Sequence, residues 1–134
     1  MQQAFDLTVV GATVWTVNGP ERTDIGVIGG RIAALGDLAR AKSAAAFDAA
    51  GLTVLPGVID TQVHFREPGL THKEDLESGT AGAAIGGVTA VFEMPNTNPN
   101  TLDGRDIADK LKRAEGRAWV DHAFFSSEER RVGK

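Results

Sequence analysis

Four polar side chains crowd one short stretch of this chain. Asp60, Gln62, His64 and Arg66 alternate with Ile59, Thr61, Val63 and Phe65. On a strand such alternation would put Val58, Asp60, Gln62, His64 and Arg66 on one face, with the apolar set on the other, under helices. An acid, an amide, an imidazole and a guanidinium in a row are expensive to bury unless they bind something. Their chemistry differs by type. His64 can hold a metal or move a proton near neutral pH. Arg66 presents a planar fork that matches a carboxylate bidentately. Gln62 offers a neutral carbonyl oxygen, a poorer zinc ligand than imidazole. Asp60 suits a structural role, accepting from backbone amides near the strand's entry. Asn96, after Met94-Pro95, is by itself a natural turn residue; at a strand end its amide can also contact a substrate.

The stretch is framed by breakers, Pro56-Gly57 before it and Glu67-Pro-Gly69 after it, and so reads as a strand over Val58 to Phe65. Ahead of it, residues 6–17 are rich in β-branched types and read as one or two strands broken near Gly11. Asn18-Gly-Pro reads as a turn, and residues 24–35 read as a tight hairpin around Gly29-Gly30. Residues 37–45 fit a short helix or a loop, and 46–49 with 52–55 read as another short pair. Behind it the pattern changes to alternating helices and strands, which argues for parallel βα units. Thr71 to Glu74 has capping-box spacing and opens a helix running to Ile85, with Leu76, Thr80, Ala83 and Ala84 inward. Gly79 and Gly82 weaken that helix but permit close packing. Val88–Met94 is the next strand. Asp103 caps a helix with Ile107, Ala108, Leu111 and Ala114 on one face, and residues 118–125 form a third strand.

Composition excludes several classes. The 134 residues carry a net charge of −4 with no basic stripe, which argues against nucleic acid, and no apolar run could span a membrane. There is no Cys, so neither a disulfide framework nor a Cys-based zinc site is available. The N-terminus lacks the order of a signal peptide, leaving a cytoplasmic location as the default. The three histidines are His64, His72 and His122; His72 reads as solvated and His122 as core or interface.

Three segments carry a family resemblance: Leu55-Pro-Gly-Val-Ile-Asp60, His64-Phe-Arg-Glu-Pro-Gly69, and residues 86–99 with Met94-Pro-Asn-Thr97 at their heart. Together the chain resembles the amidohydrolase superfamily, and within it dihydroorotase, the cyclic-amide hydrolase of pyrimidine synthesis. Allantoinases and dihydropyrimidinases share the framework but usually lack the arginine found here at Arg66. The resemblance implies an α/β fold: a partial β-sandwich over residues 1–54, the first two to three βα units of a (β/α)8 barrel over 55–125, and a charged tail over 126–134. It implies metal-dependent interconversion of dihydroorotate and N-carbamoyl-aspartate, with one or two Zn2+ ions. His64 would be a metal ligand and touch substrate, Gln62 would stand where the family has its other histidine, and Arg66 and Asn96 would hold the substrate. The remaining ligands and the catalytic group would lie beyond Lys134, since a barrel needs about 250 residues. The family forms homo-oligomers or complexes with aspartate transcarbamoylase.

Gln62 favours an alternative, a non-catalytic homologue kept as an assembly partner. Another cyclic-amide hydrolase, an allantoinase or hydantoinase, is the third reading, and Arg66 argues against it. The charged end from Ser126 reads as a truncation or frame-shift, so the chain alone is expected to be inactive and prone to aggregate.

Overall fold

A computed structural model describes residues 4–127. The chain divides into two compact units, the first through Pro56 and the second from Gly57.

The first unit is built of strands alone. β1 (Phe5–Val10), β4 (Asp24–Ile28), β5 (Arg31–Gly36) and β6 (Ser43–Asp48) form one sheet in the order β5-β4-β1-β6. β2 (Thr13–Thr16), β3 (Gly19–Arg22) and β7 (Thr53–Val54) form a second, ordered β3-β2-β7. Ala12, Val14, Ile25 and Ala49 make the buried core that both sheets share. The β4–β5 hairpin turns as its sequence requires, with Gly29 and Gly30 both at positive φ (58° and 71°), the conformation of a two-residue hairpin turn matched to strand twist.

Three expectations are met only in part. Residues 37–42 are a loop, but 43–45, expected with them as helix or loop, begin a strand that runs through the expected 46–48. The turn expected at Asn18-Gly-Pro falls at Val17-Asn18, and Gly19-Pro20 already belong to β3. β6 and β7 do not pair with each other: β6 runs parallel to β1 and β7 parallel to β2.

The second unit alternates. β8 (Val58–Val63) is followed by α1 (Leu76–Ile85), β9 (Val88–Glu93), α2 (Gly104–Ala114) and β10 (Asp121–Phe124). The three strands are parallel, in the order β10-β9-β8. The core is Phe65, Leu76, Val91 and Ala114. α1 starts later than its capping-box spacing predicts. Asp75 is the N-cap and accepts from the Ser78 N–H at 2.8 Å, while the Leu76 N–H is taken by Glu67 at 3.0 Å; those two acceptors outcompete Thr71 and Glu74. Gly79 lies against Phe65, where an added Cβ would overlap the ring, whereas Gly82 faces open space. α2 is capped as expected, with Asp103 and Asp106 in a reciprocal capping box. Its inward face is only partly the expected one, with Ile107 half-buried as expected. Lys110 and Ala114 are buried, and Ala108 and Leu111 are exposed. On α1, Leu76 and Thr80 are buried but Ala84 is exposed.

Candidate active site

β8 stops at Val63, two residues earlier than the sequence suggests, and so does its simple alternation. Asp60 is in register with Val91 and Val63 with Glu93, so β8 advances three residues while β9 advances two. This bulge adds one residue and re-aims the side chains beyond it. Asp60, Gln62 and His64 are all exposed, but they are not a single row on one pleat. Asp60 accepts from the Gln62 backbone N–H at 3.0 Å, at the bulge and not at the strand's entry.

His64 leaves the end of β8, and Asn96 lies in the loop that leaves β9. Their side chains meet: His64 Nδ1 and Asn96 Oδ1 are 2.8 Å apart. The amide oxygen can only accept, so Nδ1 carries the proton. Nε2 of a neutral ring then keeps its lone pair, the arrangement that suits a ligand or a base. Asn96 keeps its NH2 group for another partner. The two loops are stitched further. Asn98 N–H donates to Pro68 O at 3.0 Å, and Gly69 approaches the Asn98 carbonyl so closely that a side chain there would collide with it.

Arg66 sits within this rim. It is half-buried and takes the left-handed conformation, φ 66°, the single non-glycine residue to do so among those described. A long side chain is rare there, and such outliers concentrate at functional sites. Among the described residues its guanidinium makes no ion pair. His72 is exposed. His122 is half-buried, with its ring 5.6 Å from that of Phe124, away from the His64–Asn96 pair in sequence and on another strand.

Four charged residues that the sequence did not single out support this rim. Glu67 is buried and bound by Arg117 through two bonds, at 2.9 and 3.2 Å. Burial pushes its carboxyl up, but the Arg117 hydrogen bond, the Leu76 N–H and the guanidinium charge overcome that and hold it below the usual carboxylate value. Glu93 and Lys110 form an ion pair at 3.0 Å, each 1% exposed. Here burial wins over Lys110, and the Glu93 carboxyl is raised. One Glu93 oxygen, Oε1, has no hydrogen-bond partner among the described residues. A signal for Lys110 was present, because it falls three residues after Ile107 and four before Ala114, on the helix's inner stripe.

The donors among the described residues do not by themselves make a zinc site. His64 has one available nitrogen, Gln62 a neutral oxygen, and Asp60 is occupied by its own strand. No group of three or more His, Asp or Glu among the described residues could hold a metal. No helix among them is long and apolar enough to cross a membrane.

Comparison with known proteins places this arrangement in a family context. The family described as Dihydro-orotase-like matches residues 51–120, just over half of the chain. The chain is 46% identical over 123 residues to an allantoinase of Rubrobacter xylanophilus, covering 91% of this chain and 27% of that protein. It is 40% identical over 123 residues to an allantoinase of Deinococcus radiodurans, covering 91% and 28%. Among solved structures, an L-hydantoinase (dihydropyrimidinase) from Arthrobacter aurescens matches with a TM-score of 0.85 at 33% identity, over 91% of this chain and 28% of that one. The chain thus spans about a quarter of the length of these relatives.

Proposed function

This chain belongs to the Dihydro-orotase-like family, and on that premise we propose that it supplies one wall of the active site of a cyclic-amide hydrolase. The observation that carries the reading is the His64–Asn96 pair, 2.8 Å apart, joining two loops at the C-terminal ends of adjacent parallel strands. Ligands of parallel α/β sheets bind at that end. The reaction is addition of water to a ring amide carbonyl and cleavage of its C–N bond, leaving a carboxylate and a free N–H. On this wall Nε2 of His64 faces the reaction as a ligand or proton acceptor, and Asn96 NH2 donates to a ring carbonyl. Arg66 takes a substrate carboxylate. The other groups the reaction needs, including any that complete a metal site, would come from the length that the relatives have and this chain lacks.

Two ring substrates remain in competition. Dihydroorotate is favoured by Arg66, because that ring carries a carboxylate and a bidentate arginine is its natural partner. An allantoin-type ring is favoured by the relatives named above. A chimera decides between them: residues 4–127 replace the matching segment of the Rubrobacter xylanophilus allantoinase, with and without Arg66→Gln. Turnover of dihydroorotate, with KM raised at least about tenfold by the substitution (one carboxylate contact,), supports the first reading. Turnover of allantoin alone, indifferent to Arg66→Gln, replaces it with the second. A folded chimera that opens neither ring overturns the hydrolase reading.

A further inference from the structure

Arg66 holds an unfavourable backbone conformation, and something must hold it there. A buried acid lies on each side. Glu67 is its neighbour in sequence, and Arg66's own carbonyl accepts from Leu70 N–H at 3.0 Å, closing the turn that contains them. Glu93 lies across the sheet from the start of the same loop: it is in register with Val63, three residues before Arg66, and the Met94 N–H beside it donates to the Val63 carbonyl at 3.0 Å. Two like charges flanking one strained residue would drive the loops apart if left alone. Each is instead matched by a cation from the second βα unit. Lys110 comes from α2, 17 residues from Glu93, and also reaches the Met94 carbonyl at 3.5 Å and the face of Phe124 at 5.3 Å. Arg117 follows α2, 50 residues from Glu67, and also reaches Asp75 and Glu77 at the start of α1.

We propose that Lys110 and Arg117 are positioning residues for Arg66: by binding Glu93 and Glu67 they clamp the backbone on both sides of it, fixing it left-handed and leaving its guanidinium free for a substrate carboxylate. The inference rests on the reading of Arg66 as an anion-binding residue, and it assigns the specificity of the loop after β8 to side chains of the second βα unit. Neither cation touches substrate. Their effect passes through two carboxylates whose own positions are set by burial. A left-handed arginine has little freedom to retreat into the extended or helical basins while both neighbours are pinned, so its fork is aimed before substrate arrives.

The test uses the 134-residue chain itself and needs no substrate. A residue at positive φ brings its amide proton and α-proton closer than extended backbone does, giving a strong intraresidue cross-peak in NMR. Spectra of wild type, Lys110→Met, Lys110→Arg and Arg117→Gln are compared at Arg66. The expected result is a strong peak in wild type and Lys110→Arg, and its fall to the level of neighbouring extended residues in Lys110→Met and Arg117→Gln. A purely structural ion pair would lower the melting temperature and leave that peak intact. An unchanged peak in the folded variants overturns the proposal. Arg117 is one-third exposed, so Arg117→Gln gives a folded sample if Lys110→Met does not. The substrate reading is tested separately in the chimera: turnover of dihydroorotate indifferent to Arg66→Gln, with the clamp behaviour intact in the 134-residue chain, overturns that reading and leaves the clamp standing.

Discussion

Two glycines in one helix should respond to alanine with opposite signs. Gly79 and Gly82 both lie inside α1, and in a helix interior each glycine costs about 1 kcal/mol relative to alanine. At Gly82 nothing stands within 4 Å of an added Cβ, so Gly82→Ala should stabilise by about that amount. At Gly79 three atoms of the Phe65 ring would lie under 3.0 Å from the new carbon. Phe65 is buried against Leu76, Val91 and Ala114 and cannot simply swing away. Overpacking of this kind costs about 1–3 kcal/mol, which cancels the propensity gain and leaves a net loss of about 0–2 kcal/mol. The two variants should therefore differ by about 1–3 kcal/mol, or at least about 4 °C in melting temperature for a unit of this size. Far-UV circular dichroism melts of the two proteins measure it. Trimming the ring with Phe65→Leu should rescue Gly79→Ala but not act on Gly82→Ala, since only the first pair is in contact. Equal stabilisation by both alanines would refute the claim that Gly79 is required by the Phe65 contact. Phe65 lies between His64 and Arg66, so Gly79→Ala should also disturb the His64 and Asn96 resonances, and Gly82→Ala should not.

Lys110→Met strands a buried carboxylate and should cost about 3–5 kcal/mol at neutral pH; adding Glu93→Gln should recover most of it, and urea melts of the single and double variants that differ by nothing would refute the pairing. Because burial raises Glu93, the Lys110→Met penalty should shrink in mild acid, where that carboxyl takes a proton. Glu67 has the opposite sign: its folded carboxyl lies below the ordinary value, so its contribution is complete above that value and is lost as pH falls through the folded one. Glu67→Gln should therefore flatten the acid limb of the stability curve, and an unaltered limb would count against the Arg117 bond. Arg117→Gln should cost roughly 1–2 kcal/mol, the lower part of the range for an unsatisfied buried group, since solvent already reaches 34% of that side chain. Trp119 and Ile85 are 67% and 90% exposed; replacing both by lysine should raise the monomer fraction in sedimentation, and no change would mean that this apolar surface does not drive association.

How much of this was legible depended on range. The β4–β5 hairpin, the break near Gly11, the Asp103 cap and the stop at Gly86-Gly87 were readable because each is decided by a few adjacent residues. The register of β8 was not. The bulge between Asp60 and Val63 needs the partner strand to define it, and it moved His64 off the strand. Ala44 to Ala46 gave weak strand propensity, so only the second half of β6 was readable, and its true partner, β1, appeared only in the fold. The candidate site was half legible. His64, Arg66 and Asn96 stood out by type and spacing, but the bond between His64 and Asn96 joins residues 32 apart.

The sequence by itself determined the list of chemical groups, the breakers that bound each element and the change from an all-strand to an alternating pattern at Pro56-Gly57. These are local properties, set by side-chain type, turn chemistry and periodicity. Only the tertiary structure decided that Lys110 and Arg117 point inward, that Glu67 and Glu93 need them, and that Arg66 is left-handed between the two. A lysine on a helix and a glutamate in a strand are ordinary surface residues until packing removes water from both. Burial then makes each charge too costly to leave alone, and the pairing that results is a property of the fold.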